Sequence, residues 1–251
     1  MPLTALDRRH LRAVLDGRPT QKSTGDAAND QVDAGVSVRY LVVGAHPWAG
    51  TSSVALALAD QASRRHDRTV LLDTAPPEAS GLVAVSQREL SPRGGSTIGT
   101  RGSVEVRRAL GSDSYRLPAA TGDEMAFVDA GCHDVGRVER DGPGAAVLVC
   151  RATIPGLRFA EVALHRIGIA GVVLATVGHR RLPRVVEASA GPRVTELLAS
   201  GRVLFFDHDR RLATEGLDDR PLPKHLLASA SRLLDVLEAH TAAVARIEGG
   251  R

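Results

Sequence analysis

The sequence predicts an α/β fold: a doubly wound, mostly parallel sheet flanked by helices. From residue 38 onward, short apolar runs alternate with longer segments of helical periodicity. The apolar runs are mostly Val and Leu without polar alternation, which is typical of strands buried on both faces of a parallel sheet. We place these strands at residues 39–43, 69–73, 126–129, 145–150, 171–177 and 203–206.

The first 37 residues are set apart from this pattern. Residues 3–16 place apolar side chains on one side of a short helix, and residues 17–36 are rich in the Gly, Asp, Gln, Ser and Asn that are typical of a flexible linker. We therefore expect an N-terminal helix with a linker (residues 1–37) followed by an α/β domain (residues 38–251). The N-terminal part is either a disordered tail or a peptide that docks on a partner.

Four helices are predicted between and after the strands, at residues 51–64, 157–167, 183–199 and 223–246. Pro183 and Pro192 predict that the third helix breaks into two pieces. The last helix carries a stripe of leucines that we expect to dock on the sheet.

Residues 80–122 interrupt the alternation of strands and helices. Their glycine- and serine-rich part, residues 91–103, predicts a loop. Residues 104–110 and 114–120 are then predicted to pair as a small hairpin insertion at about 100–120, with residues 111–113 as the turn.

Composition limits the function classes. The formal charge of +3 is too small to argue for nucleic acid by itself. Only Lys22 and Lys224 among the 32 basic residues are lysines, which we attribute to a high-GC bacterial coding bias. Cys132 and Cys150 give no disulfide framework, and the start of the chain has no signal-peptide core. No apolar run approaches the ~20 residues that span a bilayer, so we expect a cytoplasmic protein.

A phosphate-binding loop is predicted between the first strand and the first helix. The strand runs into small residues from Gly44 to Gly50, and Thr51, Ser52 and Ser53 then open an Ala/Leu helix. Glycine lets the backbone approach an anion, and the free N–H groups and positive end of the helix dipole face it. We take these five residues as candidate ligand-binding residues.

Other polar residues are predicted to lie near this loop, at the rim formed by the carboxyl ends of the strands. In open parallel sheets, ligands bind beyond the carboxyl ends of the strands. The predicted strand ends place Asp73, Asp129, Arg151, residues 178–184 and Asp207 there.

The densest basic cluster lies within that 178–184 segment. Arg180, Arg181 and Arg184 form either a solvated loop or a contact for DNA phosphates or another anion.

Several enzyme classes find no support in the motifs. No G-x-G-x-x-G sequence follows a strand, and no G-x-S-x-G elbow is present. The only asparagine is Asn29 in the N-terminal part, so the N-K-x-D motif that reads guanine is absent. These absences argue against a dinucleotide enzyme of the usual type, an α/β-hydrolase and an ordinary GTPase.

Residues 42–60, VVGAHPWAGTSSVALALAD, resemble the deviant Walker A loop of the ParA/MinD class of ATPases, K-G-G-x-G-K-T-[ST]. The stretches RTVLLDTAPPEASGLV and MAFVDAG resemble the switch I and Walker B segments of that class, and the resemblance extends over residues 39–245. It implies a P-loop NTPase-like fold that binds ATP or ADP with Mg²⁺. In that class, Ser52 would hold the magnesium hydroxyl position and Asp129 would be the Walker B acid.

The sequence departs from that class at the two positions where the loop of the class has lysine. Thr51 stands in place of the phosphate-contacting lysine, and His46 in place of the signature lysine that reaches across a dimer. Two glycines of the loop are replaced by Pro47 and Trp48, and the second switch I aspartate falls on Ala75. Removing one electrostatic donor from such a site costs about 10²–10³ in rate, so we expect almost no hydrolysis.

Three hypotheses follow. The first is a degenerate ParA/MinD-like protein that works as a binding, scaffold or regulatory component in bacterial plasmid partitioning, conjugation, secretion or polar positioning, with little or no ATP hydrolysis. The second is an active, atypical ATPase in which Arg151 or Arg180 replaces the missing lysine and the partner is DNA or a membrane complex. The third is a relic of the fold whose pocket binds another small anion.

Cofactor and partners stay open at this point. The cofactor is either ATP or ADP with Mg²⁺, or none. We expect a protein partner, and we leave a homodimer and nonspecific DNA as alternatives. Trp48 either packs into the space of a phosphate or forms part of a contact surface.

Overall fold

The computed structural model describes residues 38–75, 80–90, 96–109, 124–132 and 145–248, which all lie within the compact unit Asp33–Arg251. The prediction for residues 1–37 and the 114–120 half of the predicted hairpin fall outside these residues. Among the described helices, none has the length and apolar character needed to cross a membrane.

In the described residues, nine strands form one sheet in the order β3-β4-β5-β2-β6-β1-β7-β8-β9. The strands from β5 to β9 in this order run parallel, and the β3 and β4 pairs at the other edge are antiparallel. The bounds are β1 Val38–Gly44, β2 Thr69–Asp73, β3 Arg88–Glu89, β4 Ser96–Arg101, β5 Val104–Ala109, β6 Met125–Asp129, β7 Ala146–Arg151, β8 Val172–Gly178 and β9 Val203–Asp207.

All six strands predicted from the sequence are present, with bounds that differ by one residue at most. Every residue of β2 and β6 is buried, as expected for strands covered on both faces. The doubly wound, mostly parallel sheet is therefore confirmed.

Helices cover both faces of this sheet. Their bounds are α1 Thr51–Ala62, α2 Ile154–Ile167, α3 Arg184–Glu187, α4 Pro192–Ala199, α5 Arg210–Glu215 and α6 Lys224–Glu248. The predicted break of the third helix is confirmed, because Pro192 opens α4 after the short α3. Helix α2 begins three residues earlier than predicted, since Thr153 caps it by accepting a hydrogen bond from the Gly156 N–H at 3.2 Å.

Alternate residues of β1 point into two separate cores. Tyr40 and Val42 pack with α1 and α6 on one face, while Val43 packs with α2 and α4 on the other. Most of the leucine stripe of α6 is buried in the first core, as predicted. The two layers hold the strand ends and the loop after β1 in fixed positions.

The predicted hairpin is wrong in its pairing. Residues 104–109 form β5, but their antiparallel partner is β4 on the N-terminal side, within the stretch predicted as a loop. The two strands are joined by Gly102 and Ser103, and Gly102 has a φ of 54° that glycine adopts readily. The Gly-Ser pair is a two-residue hairpin signal that the overall glycine content of this stretch concealed.

Candidate functional site

Polar residues meet at one edge of the sheet because the parallel strands end there together. Gly44 ends β1, Asp73 ends β2, Asp129 ends β6, Arg151 ends β7 and Asp207 ends β9. The rim expected from the sequence is therefore present, and the loop from β1 to α1 lies at its centre.

The loop after β1 is anchored to both neighbouring strands. The Gly44 N–H donates to the Gly131 carbonyl at 2.7 Å, and the Ala45 N–H donates to the Val149 carbonyl at 2.8 Å. The Arg151 N–H donates to His46 Nε2 at 3.2 Å. These three hydrogen bonds hold the start of the loop between β6 and β7.

The loop ends in a left-handed turn that opens α1. Gly50 has a φ of 97° and Trp48 a φ of 64°, and Trp48 is the one non-glycine residue with positive φ among the described residues. A left-handed conformation is costly for a large side chain. At Trp48 the loop therefore has a backbone conformation that glycine usually adopts.

The N-terminus of α1 offers unsatisfied backbone donors. The first helical hydrogen bond of α1 runs from the Val54 N–H to the Gly50 carbonyl, at 3.1 Å. No side chain caps the helix, and its first turn holds no acidic residue. Thr51, Ser52 and Ser53 thus present their N–H groups at the positive end of the helix dipole, which is an anion-binding arrangement.

Both ring nitrogens of His46 form hydrogen bonds with backbone groups of this chain. With Nε2 accepting from Arg151, Nδ1 carries the proton and donates to the Pro47 carbonyl at 2.7 Å. The ring also lies 5.5 Å, centroid to centroid, from the ring of Phe159 on α2. The His46 side chain therefore links the loop to β7 and α2.

Trp48 fills no space in the site. Its side chain is 93% exposed, next to the exposed Pro47. The interpretation of Trp48 as a packing plug is wrong, because the left-handed backbone at this position turns the indole towards solvent.

Two buried carboxylates lie side by side behind the helix terminus. Asp73 and Asp129 are paired in the register of β2 and β6, and each is 1% exposed. Burial raises the pKa of Asp129 to about 6, helped by the negative charge of Asp73 and opposed by hydrogen bonds from Ser52 and the Gly131 N–H. Burial likewise raises the pKa of Asp73, against hydrogen bonds from Ser80 and the Ala75 N–H.

This group of oxygens suits a hard divalent cation. Two buried carboxylates that disfavour each other's ionisation are stabilised when a cation lies between or beside them. The Ser52 hydroxyl supplies a further oxygen, as expected for a magnesium site at a phosphate. Residues Ser52, Asp129 and Asp73 therefore fit Mg²⁺.

The arginines of the rim differ in their freedom. In the described part of the chain, no carboxylate pairs with the guanidinium of Arg151, which is half-buried beside the loop. Arg180 instead donates to Asp207 at 2.7 Å, and this hydrogen bond lowers the pKa of Asp207. Of the two arginines expected to replace the lysine, Arg151 is therefore the one with a free guanidinium.

The basic cluster forms a separate pocket beyond β8. Its volume is about 450 Å³. Arg180, Arg181 and Arg184 all line this pocket, as expected for residues of one short segment. No residue of the loop after β1 lines it. The lining residues are His179, Arg180, Arg181, Leu182, Pro183, Arg184 and Glu187.

Two neighbours of Asp73 escaped the sequence analysis. Ser80 donates a hydrogen bond to the carboxylate of Asp73, and Arg108 faces Asp73 across β2 and β5. The Ser80 contact joins two residues seven positions apart, and no sequence motif indicates it. The Arg108 contact depends on the strand register, which the wrong hairpin pairing hid.

No family model and no curated protein matches this sequence. Solved structures do match. The MinC:MinD cell division complex of Aquifex aeolicus has a TM-score of 0.53 and 11% identity, over 79% of this chain and 96% of that chain. The MinD protein of the same organism has a TM-score of 0.50 and 10% identity, over 79% and 98% of the two chains.

A ParA family ATPase from Chlorobium tepidum has a TM-score of 0.49 and 14% identity, over 80% of this chain and 92% of that chain. The likeness to MinD, at 10% and 11% identity, concerns the fold alone. The mostly parallel, helix-flanked sheet of this chain matches the fold of the ParA/MinD P-loop NTPases.

Proposed function

We propose that this chain is a degenerate ParA/MinD-like protein that binds nucleotide with little or no hydrolysis and works through protein contacts. It serves as a scaffold or regulatory component of bacterial plasmid partitioning, conjugation, secretion or polar positioning. The fold shared with MinD supports the class of process. The MinC:MinD complex, in which a protein of this fold is bound to another protein, supports a protein partner.

One observation carries the proposal: the loop offers backbone donors for a phosphate but contains no lysine. The uncapped N–H groups of Thr51, Ser52 and Ser53 lie next to the buried Asp129. The chain has only two lysines, and neither belongs to the loop.

Each residue of the loop has a distinct role in this proposal. Gly44 and Gly50 shape the loop, and the N–H groups of Thr51, Ser52 and Ser53 bind the phosphate oxygens. Ser52 and Asp129, with Asp73 beside them, hold Mg²⁺. The ion neutralises phosphate charge when it is bound.

Hydrolysis requires more than this binding. Phosphoryl transfer depends on positioning and on charge stabilisation at the γ-phosphate. Thr51 supplies no charge there, His46 is bonded to Pro47 and Arg151, and Ala75 cannot position a water. With each lost donor worth about 10²–10³ in rate, turnover falls below any useful level.

The unpaired guanidinium of Arg151 supports the alternative, an atypical ATPase that uses arginine for lysine. Arg151 is the last residue of β7, and its N–H donates to His46 of the loop, so it has the position this role needs. Its partner would be DNA or a membrane complex, with the pocket of Arg180, Arg181 and Arg184 as the contact for DNA or for another anion.

Calorimetry and fluorescence together test the proposal. Trp48 is the only tryptophan, and it lies in the loop, so its emission reports changes in the surroundings of the loop. We expect micromolar, magnesium-dependent binding of ATP and ADP with no release of phosphate. Turnover that an Arg151→Ala substitution abolishes would establish the alternative, and no binding at all would leave a scaffold without a nucleotide.

The substitution Thr51→Lys restores the missing charge. Thr51 is buried with its Oγ1 directed at Gly44, 2.5 Å from where a Cβ on that glycine would lie, so the side chain starts back along the loop. We expect at least about tenfold tighter ATP binding, as for a charged hydrogen bond to phosphate. Thr51→Met is the control of similar length without charge; equal affinities of both variants would show that the loop does not hold phosphate.

A further inference from the structure

Helix α2 carries an apolar stripe on its outward face. Phe159 is 53% exposed and Val162 54% exposed, and Pro155 at the start of the helix is also exposed. These residues follow one another at helical spacing of four and three, so they share one side of the helix. With Arg158 and Arg166 beside them, they define what we name the α2 surface.

This exposure is not explained by the core. The opposite side of α2 is fully occupied, since Leu157, Ala160 and Leu164 are completely buried. Aromatic residues make up only 3% of the chain, and one of these few is more than half exposed on α2, where its ring lies 5.5 Å from that of His46 in the loop. A contiguous exposed apolar patch of this kind marks an interaction surface.

All charges on the α2 surface are positive. Arg158 and Arg166 are exposed, and within the described residues neither pairs with a carboxylate. The one acidic residue of the helix, Glu161, is turned away, because its oxygens accept the N–H groups of Arg193 and Val194 at 3.1 Å each. A partner that covers this surface must bring negative charge as well as apolar side chains.

We propose that the α2 surface docks an acidic amphipathic segment of another protein. Apolar side chains of the segment cover Phe159 and Val162, and its carboxylates pair with Arg158 and Arg166. The stripe from residue 155 to residue 166 is about 16 Å long, which matches about three turns of a partner helix.

A second copy of this chain fits the surface less well. A twofold contact places the same patch against itself, so Arg158 and Arg166 would face their own copies. A membrane also fits less well. An interfacial helix sinks a broad apolar face by about 5–10 Å, whereas the broad apolar face of α2 is committed to the core.

Selection from a display library of random peptides of about 16 residues, against the immobilised full chain, tests the proposal. We expect the enriched peptides to be acidic, with apolar residues three and four positions apart. For such a peptide, fluorescence anisotropy should show at least about a tenfold loss of affinity for Phe159→Ser/Val162→Ser. Arg158→Glu/Arg166→Glu should lose as much, with binding to the unsubstituted chain weakening as salt rises.

Two matched variants serve as controls. Val83→Ser removes an equally exposed apolar side chain, 51% exposed, and Arg246→Glu reverses an exposed charge on α6, on the other face of the sheet. Both should bind the peptide as the unsubstituted chain does. All four variants change exposed positions, and an unchanged Tm shows that each folds.

Several results would overturn the proposal. They are a failure to enrich any peptide, enrichment of basic or neutral peptides, and equal affinity of the Phe159→Ser/Val162→Ser variant. Binding to phosphatidylglycerol vesicles in place of peptide would make the α2 surface a membrane contact. A dimer in sedimentation that the same variant abolishes would make it a self-interface.

Discussion

At the scale of single residues, Asp129 shows how burial sets the chemistry of the crevice. Its carboxyl is buried next to that of Asp73, and the nearest partners are the Ser52 hydroxyl and the Gly131 N–H. Two hydrogen bonds do not offset the loss of water and the neighbouring charge, so its pKa rises to about 6. The site is thus built at a cost in stability that a cation would relieve.

Asp129→Asn should make the protein more stable at alkaline pH. The unfolded chain releases this proton near pH 3.9, while the folded chain holds it to about pH 6. The contribution of Asp129 to folding stability is therefore fully present below pH 4 and is lost as the pH rises through 6, by about 3 kcal/mol in total. We expect the variant to gain up to this amount at pH 8 in urea unfolding, and to lose the part of the slope between pH 4 and 7 that Asp129 supplies.

Asp67→Asn is the control, since Asp67 lies exposed in the loop after α1 and its replacement should leave stability unchanged. Magnesium adds a second check: it should stabilise the unsubstituted protein at pH 8 and not Asp129→Asn. If Asp129→Asn is less stable than the parent at pH 8, the carboxylate is satisfied by partners other than those identified.

At the scale of elements, α4 depends on a cap that comes from another helix. Glu161 of α2 accepts the N–H groups of Arg193 and Val194 in the first turn of α4. The N-cap residue of α4, Gly191, has no side chain that could accept these N–H groups. A Cβ on Gly191 would lie 2.5 Å from Glu161. Glu161 thereby links α2 to the first turn of α4, which begins at Pro192.

Glu161→Ala should therefore loosen α4. The N–H groups of Arg193 and Val194 lose their acceptor, and no carboxylate then lies at the positive end of the helix dipole of α4. We expect a loss of about 1–2 kcal/mol in the free energy of unfolding, with faster hydrogen exchange in α4. Glu161→Gln keeps one oxygen and should lose less, and Glu196→Ala, exposed on α4 itself, should change little. Equal stability of Glu161→Ala and Glu196→Ala would refute the cap.

At the scale of the whole molecule, Arg101 joins three parts that lie far apart in the sequence. Its guanidinium is 4% exposed and pairs with Asp60 of α1 at 3.1 Å. It also donates to the carbonyls of Val85, Asp218 and Arg220. The hairpin edge of the sheet, α1 and the segment before α6 are held together by this one side chain.

Arg101→Met should destabilise the protein strongly. It leaves Asp60 partly buried without its cation and leaves three carbonyls without donors. Breaking a buried pair from one side costs about 3–5 kcal/mol. Arg88→Met, exposed on the neighbouring β3, is the control and should be close to neutral. A loss for Arg101→Met below 1 kcal/mol in urea unfolding would show that water replaces the arginine.

The sequence predicted the parallel sheet well and its antiparallel edge poorly. Runs such as TVLLD and AVLVC are short, mostly apolar segments, which is the local signal of a strand buried on both faces, and every one of these residues is buried. STIGTR in β4 has no such signal, and its pairing with β5 depends on the two-residue turn at Gly102 and Ser103.

By itself, the sequence determined the fold class, the position of the loop after β1 and the absence of lysine from that loop, since these depend on local patterns and residue identity. Only the tertiary structure decided which residues meet there. It turned Trp48 to solvent, bonded His46 to β7, paired Arg180 with Asp207 and set Arg108 beside Asp73. The physical reason is that strand register and burial are set by contacts between distant segments, which no local pattern contains.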